Sequence, residues 1–199
     1  MADDLVNPFI IKELATKVEL YPYQLNSELY LNLKKNLKID NEGKCNKHGY
    51  IQKIIKITNY DNNIIDPENF SANAVYDIRY TANICIPIVN TTIIVKIENF
   101  NKLLILGTNG PINAIIKVSD INQRIFIIKP NGDIYIENAK RNFAIGDFVK
   151  IIINGKKFNP GDEKIGIMAS IIDMASDEEI NEFYTMEIVD KIIEKPVDT

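Results

Sequence analysis

From Phe9 to Leu20 the chain mixes apolar and polar residues and then alternates, with Leu14, Thr16, Val18 and Leu20 set against Ala15, Lys17 and Glu19. A period of two sends successive side chains to opposite faces, so this stretch predicts a strand with two distinguishable faces. After Pro22 the period changes. Leu25, Leu29, Leu33 and Leu37 recur at four-residue spacing, with Tyr30 and Leu31 between them. That pattern predicts an amphipathic helix with Asn26 or Ser27 as its cap and Glu28 in its first turn. Lys34, Lys35 and Lys38 fall toward its C-terminal end, where positive charge complements the helix dipole. Gly43 and Gly49 punctuate a turn, and a strand runs from Tyr50 to about Thr58. Residues 61–71, rich in Asn, Asp and Pro, read as an exposed loop. Val75, Ile78, Tyr80 and Ile84 mark a further strand. One helix packed on a small sheet makes residues 1–86 an α+β unit.

Pro87 breaks that strand and is the expected domain boundary. Beyond it the pattern is all strand: 91–100, 102–107, 112–121, 124–130, 133–139, a run after Gly146-Asp147, and 164–172. Pro130-Asn131-Gly132-Asp133 is a hairpin signal, since Asn-Gly suits the positive φ angles of a type I′ turn. Six or so short strands in residues 87–175 predict a small antiparallel barrel, with the OB-fold class among the options. In residues 176–199, Ser176-Asp177-Glu178-Glu179 forms a capping box. Ile180, Phe183, Tyr184, Ile188 and Ile192 make one helical face, which is expected to dock within the chain.

Composition narrows the class. The 199 residues are 46% hydrophobic and 25% charged, which excludes disorder throughout. Two cysteines are too few for a disulfide framework and fit a reducing compartment. No apolar run approaches the roughly 18 residues of a membrane span, and no membrane partner is expected. The 38 Ile and 24 Asn are explained by the codon bias of an AT-rich genome. The net charge of -4 hides a division: -1 over residues 1–86, +3 over 87–175 and -6 over 176–199. The mildly cationic middle permits weak nucleic-acid contact without demanding it.

Catalytic chemistry finds little support. Cys45-x-x-His48 is half a metal site at most, since only Cys85 remains and there is no other histidine. Tetrahedral zinc needs about four ligands. Cys45 therefore reads as a turn residue and His48 as a surface residue, with no metal and no cofactor. One histidine leaves no convincing Ser-His-Asp or Cys-His set, and Gly107-Thr-Asn-Gly110 lacks the spacing and the lysine of a phosphate loop. A binding module remains. OB-folds hold single strands with a cationic groove and aromatic platforms. The candidate RNA contacts are Lys96, Phe100, Lys102, Lys140, Arg141, Lys156 and Lys157. The two basic pairs, Lys140-Arg141 and Lys156-Lys157, fall in expected loops and are the better candidates for backbone contact. Most of the strand aromatics, Phe126, Tyr135, Phe143, Phe148 and Phe158 among them, are expected in the core.

An ordered set of short motifs then carries a resemblance. Glu42-Gly43 with Cys45, Gly49, Tyr50 and Ile51, after the Pro22 turn and the Leu-rich helix, resembles the first domain of the larger stalk subunit of multisubunit RNA polymerases. That family includes the seventh subunit of RNA polymerase II and its archaeal counterpart. Ala74, Tyr76, Arg79, Tyr80, Ala82 and Pro87 are similar to its crossover strand. Gly107, Gly110, Pro111 and Ile112 resemble a turn in its second domain. Gly146-Asp147, Val149-Lys150, the run Lys157 to Asp162, and Ile165-Gly166 resemble its closing strands. The match spans about residues 12–173.

The resemblance implies a truncated ribonucleoprotein-like tip domain (1–86) that docks on the polymerase core, an S1-type OB domain (87–175) near the nascent single-stranded RNA, and an acidic C-terminal helix (176–199). It implies polymerase core subunits and a smaller stalk subunit as partners, a non-catalytic role, an intracellular location and no cofactor. Pro22, Gly43, Gly49, Tyr50, Asn62, Ile64, Ile65 and Pro67 are the docking candidates. Where members usually carry a glycine at the start of the OB domain, this chain has Asn90. Where a surface aromatic is expected on the second barrel strand it has Leu104 or Ile105, so polymerase docking ranks above RNA binding. The alternative is a free single-strand RNA-binding OB protein acting in translation or RNA decay. Composition suggests a large DNA virus or a parasite as source.

Overall fold

The computed structural model describes residues 5–62, 73–130 and 132–192, with side chains followed as far as Tyr184 in the last helix. The first half is a four-stranded antiparallel sheet of order β1-β4-β3-β2, built from β1 (Phe9–Leu20), β2 (Cys45–Asn46), β3 (Gly49–Asn62) and β4 (Ala74–Cys85). In β1 the alternation buries Leu14, Val18 and Leu20, opposite Tyr80, Tyr76 and Ala74 of β4. The sheet's apolar face is closed by α1 (Leu29–Asn41), whose Leu33 and Leu37 are fully buried.

β3 solves a problem that its sequence poses. Ile51, Ile54, Ile57 and Tyr60 stand three residues apart, a spacing that would send alternate side chains to opposite faces of a regular strand. Its pairing with β4 slips once between Ile51 and Lys53, again between Ile54 and Lys56, and again between Ile57 and Asn59. Each irregularity takes up one extra residue. Ile51, Ile54 and Ile57 are thereby returned to the buried face.

The helix starts one or two residues later than a cap at Asn26 or Ser27 predicts. Pro22–Gln24 form a 3₁₀ turn, and Leu25 lies outside α1, 39% exposed. Asn26 Oδ1 accepts the Glu28 N–H at 2.9 Å, so Asn26 makes a local turn and does not cap the helix. Glu28 occupies the N-cap position, not the first turn. Buried Gln24 and Asn36 exchange two side-chain amide hydrogen bonds of 3.0 Å each, and Gln24 Oε1 also accepts the Tyr21 N–H. These bonds hold the 3₁₀ turn against α1.

The second half contains β5 (Thr92–Phe100), β6 (Leu104–Asn109), β7 (Ile112–Ile121), β8 (Phe126–Ile128), β9 (Ile134–Ile136), β10 (Arg141–Asn142), β11 (Phe148–Lys157) and β12 (Ile165–Met174). Five of these strands close a barrel of order β11-β12-β7-β6-β5. β12 runs parallel to β7, and β11 returns antiparallel to β5. This is the Greek-key order of an OB barrel. The isoleucine bias serves its interior: Ile93, Ile97, Ile105, Ile112, Ile116, Ile151, Ile153 and Ile165 are all essentially inaccessible. β8, β9 and β10 form a separate small sheet in the β7–β11 connection.

Two local expectations change. The β8–β9 turn is not a two-residue type I′ turn. Lys129 pairs with Asp133, and Gly132, at φ +95°, donates its N–H to Lys129 O. Three residues therefore span the hairpin, with glycine at the left-handed position of the longer loop type. Second, Lys156 and Lys157 are not in a loop. The β11 ladder shifts register between Ile153 and Gly155 and then continues to Lys157. Asn90, meanwhile, adopts φ +65°, a left-handed backbone that asparagine tolerates better than most residues.

The sheet and the barrel meet along a hydrogen-bonded, apolar seam. Cys45 N–H donates to Asp162 O at 2.7 Å, and Gly161 N–H donates to Cys45 O at 2.8 Å. Phe9, Cys45 and Cys85, although they belong to the sheet, are buried in one cluster with the barrel core.

α2 (Asp177–Ile192) packs back on the barrel. Its capping box forms as the sequence predicts: Ser176 N–H donates to Glu179 Oε2 and Glu179 N–H donates to Ser176 Oγ. Phe183 is buried with the barrel core, with Ile180 and Tyr184 packed against it. Lys150 Nζ reaches Glu179 Oε1 at 2.9 Å. The Ser176 backbone bond, then Lys150, hold the Glu179 carboxyl below its usual value near 4.5. A depressed carboxyl stabilises the folded state above the unfolded-state pKa, and that contribution is lost as pH falls through the folded value. Acidification below about pH 4.5 is therefore expected to loosen α2, and Glu179→Gln to loosen it already at pH 7. Hydrogen exchange of the α2 amides measures both; equal protection in the variant and the parent at pH 7 would refute the assignment.

Candidate functional site

Among the described residues no group of three or more His, Cys, Asp and Glu could hold a metal ion. Cys45 is not a turn residue but sits in β2, buried in the seam, its Sγ 3.9 Å from Lys164 O. Burial, reinforced by the Asp162 charge, pushes its thiol up to about 11. Desolvation first, then the charges of Lys12 and Lys47, lower His48 below its ordinary value.

The basic candidates are spread around the barrel. Lys96 is exposed on β5, opposite Thr108 and Phe148. Phe100, at the end of that strand, meets Phe143 edge-on at 5.4 Å, and Phe143 meets Phe126 at 6.0 Å. This aromatic column is packing, with Phe126 and Phe143 both buried. Lys102 lays its stem against Gly132, where an added Cβ would come within 2.6 Å of Lys102 Cγ. Lys140 adopts φ +50° in the turn before β10. Arg141 makes a two-pronged pair with Asp147 at 2.8 and 2.9 Å, which occupies the face of the guanidinium that would grip a phosphate. Lys156 Nζ donates to Pro87 O at 2.9 Å and so ties the barrel to the connection from β4. Lys157 is exposed. Asp147, the partner of Arg141, and Lys157 stand at opposite ends of β11, separated by roughly 30 Å of strand. The two basic pairs therefore do not line one groove.

The docking candidates split in the same way. Pro22 opens the 3₁₀ turn, where its missing N–H costs nothing. Gly43 (φ +77°) follows α1 and donates to Ile51 O. Gly49 begins β3 and Tyr50 packs against the barrel core. Gly43, Gly49 and Tyr50 thus build the hairpin that clasps the barrel. Asn62 ends β3, its backbone paired with Tyr76. Ile64, Ile65 and Pro67 lie outside the described residues.

Sequence reasoning missed a cleft of about 580 Å³ beside the 3₁₀ turn, lined by Lys17, Tyr21, Tyr23, Gln24, Lys35 and Asn36 among others. Tyr21 and Tyr23 stack with centroids 5.7 Å apart and planes 5° from parallel. Tyr23 is 75% exposed, and Leu31 and Ile39 on α1 are exposed as well. The signal was present as Tyr21-Pro22-Tyr23: a proline fixes the backbone between two rings that no strand or helix period claims. Contiguous exposed apolar patches mark interaction surfaces, and the exposed Tyr21, Tyr23, Leu31 and Ile39 are the candidates for one in this half.

No protein-family model matches the chain. Over 171 residues the chain is 35% identical to a protein of Acanthamoeba polyphaga mimivirus that carries the name of a DNA-directed RNA polymerase subunit, an alignment covering 86% of this chain and 85% of that relative. Identity at this level along nearly the whole of both chains shows common descent, and the chain belongs to the family of this viral DNA-directed RNA polymerase subunit.

Proposed function

We propose that the chain is the larger stalk subunit of a DNA-directed RNA polymerase. In this reading residues 1–86 dock on the core enzyme, the OB barrel of residues 87–175 stands near the exiting RNA, and residues 176–199 are an appendage to the barrel. The chain contributes no nucleotide-transfer chemistry, and its partners are core subunits and, where the polymerase has one, a smaller stalk subunit.

One observation carries the reading: a helix-covered four-stranded sheet is clamped to an OB barrel through the Cys45–Asp162 seam, in a chain of polymerase-subunit descent. A part that links two sites of a machine needs a fixed angle between its two ends, and a hydrogen-bonded seam with shared apolar core supplies one. The S1-type character of the barrel and its weak contact with single-stranded RNA belong to the same reading. Aliphatic Leu104 and Leu106 stand on the exposed face of β6, and bases stack on aromatic rings, so docking outranks RNA binding.

Affinity purification of the tagged full-length chain from its native cells tests this. The expected result is recovery of the large polymerase subunits in stoichiometric amount, retained after nuclease treatment. Tyr23→Ala with Leu31→Asp, both on exposed positions of the first half, is expected to reduce that recovery about tenfold or more, as truncation of buried interface anchors does. A solitary monomer, or recovery that vanishes with RNA digestion, would favour the free RNA-binding reading.

A further inference from the structure

We propose that the outer face of the barrel across β6, β7 and β12 is a docking groove for an acidic polypeptide segment bearing aliphatic side chains. The register places Leu106 opposite Ile115 and Ile115 opposite Met168, so one outward row crosses three strands. Leu104, two residues before Leu106, extends it. All four are exposed, Met168 by 62%.

Beside the row runs a groove of about 370 Å³. Its floor is two glycines. Gly155 stands opposite Met168, and Gly166 opposite Lys157. A Cβ on Gly155 would lie 3.4 Å from Met168 Cε, so the floor is open because those positions carry no side chain. The far wall is fixed in advance, since Gly161 and Asp162 are tied to Cys45 across the seam. A site already ordered loses little entropy when it is filled.

Charge identifies the occupant. Lys157 and Lys164 flank the groove, and Lys117 stands opposite Leu104. None of the three makes an ion pair with an acid among the described residues. The acid in the lining, Asp162, is engaged within its own turn, where its carboxylate accepts the Asn159 N–H at 2.6 Å. The unsatisfied charge is therefore positive, beside an aliphatic row that includes an adaptable methionine. No aromatic ring lines the groove among the described residues, which disfavours stacked bases. An extended segment with carboxylates toward Lys157 and Lys164 and aliphatic side chains on Ile115 and Met168 satisfies both features. The inference does not depend on the polymerase reading.

The experiment places a benzophenone amino acid at Met168 of the full-length chain in its native cells and maps the photo-crosslink by mass spectrometry. The expected product is a polypeptide segment with a surplus of Asp and Glu over Lys and Arg. Lys157→Glu with Lys164→Glu should cut its yield about tenfold, the effect of losing two exposed ion pairs. Gly155→Leu, which fills the floor next to a flexible methionine, should cut it by a similar factor. Crosslinks to RNA, to a second copy of this chain or to a segment without acidic surplus would overturn the proposal. So would the absence of any crosslink, or a yield indifferent to both variants. Recovery of polymerase subunits in the same preparation reports separately on the stalk reading.

Discussion

Gly49→Ala is expected to destabilise the chain by about 4 kcal/mol, a combination of backbone strain of about 1–3 kcal/mol and overpacking of about 1–3 kcal/mol. Gly49 sits at φ +148°, and a Cβ there would lie 2.5 Å from Cys85 O and 2.9 Å from Ile86 Cγ1. The first contact is with backbone, which has no rotamer by which to retreat. Gly49 also opens the strand whose hairpin partner, Cys45, clasps the barrel loop, so the clash opens the seam as well as the sheet. The control is Gly43→Ala. Gly43 has φ +77° but open space where a Cβ would go, and only the left-handed penalty of about 1–2 kcal/mol applies. Urea unfolding at equal slope measures both, and in heat Gly49→Ala should melt roughly 10 °C lower. Equal losses in the two variants would mean that close approach to β4 is not what Gly49 provides.

Phe183→Ala is expected to cost about 3 kcal/mol, at the lower end for a buried aromatic, and to release α2 from the barrel. Phe183 is only 2% exposed and belongs to the barrel core cluster. Its ring meets Tyr184 at 5.7 Å, and Tyr184 in turn meets Phe148 at 6.1 Å. Removing the ring takes away the one fully buried anchor among the helix's described side chains and leaves only the partly buried Ile180 and Tyr184 contacts and the half-buried Lys150–Glu179 pair. Hydrogen exchange should show lost protection at Asp177–Tyr184 while the β5 and β11 amides stay slow. Unchanged protection in α2 would show that Phe183 is not what docks it. An Ile→Val change inside the barrel supplies the contrast: it should lower global stability by about 1 kcal/mol and leave α2 protected.

The two halves of the chain differed in how much of them could be read in advance. The barrel strands were legible because apolar residues occupy every second position and turns carry glycine or proline, as at Asn109–Pro111. The capping box at Ser176–Glu179 was legible because its partners are three residues apart, and its geometry depends on nothing else. The start of α1 was misjudged for a related reason. Asn26 and Ser27 both have cap chemistry, but the Asn26 side chain is spent on a local turn with the Glu28 N–H and the helix opens at Leu29, and a residue-type signal does not register that competing hydrogen bond. Of the candidate site, the Leu104 position could be placed on a strand from the apolar run 102–107, whereas Lys157 was expected in a loop and falls at the end of β11. The cleft at Tyr21 and Tyr23 could not be placed, because both residues fall between two periodic segments.

The sequence by itself determined most of the elements and their order, the α+β half followed by an all-β barrel, and the helix cap of the tail, but not β2, the 3₁₀ turn or the separation of the runs 124–130 and 133–139 from the barrel into their own sheet. The features it determined depend on residues within a few positions of one another, where backbone geometry sets which side chains share a face. Only the tertiary structure decided what holds the halves together and which charges are left free. Cys45 meets the loop at Lys164 across 119 residues of chain. Arg141 is taken up by Asp147, and Lys156 by Pro87, while Lys157 is left without an acid among the described residues. Three bulges in β3 turn a spacing of three into one buried face. Each of these rests on which strands become neighbours when the apolar surfaces are buried together, and that is a property of the whole packed chain.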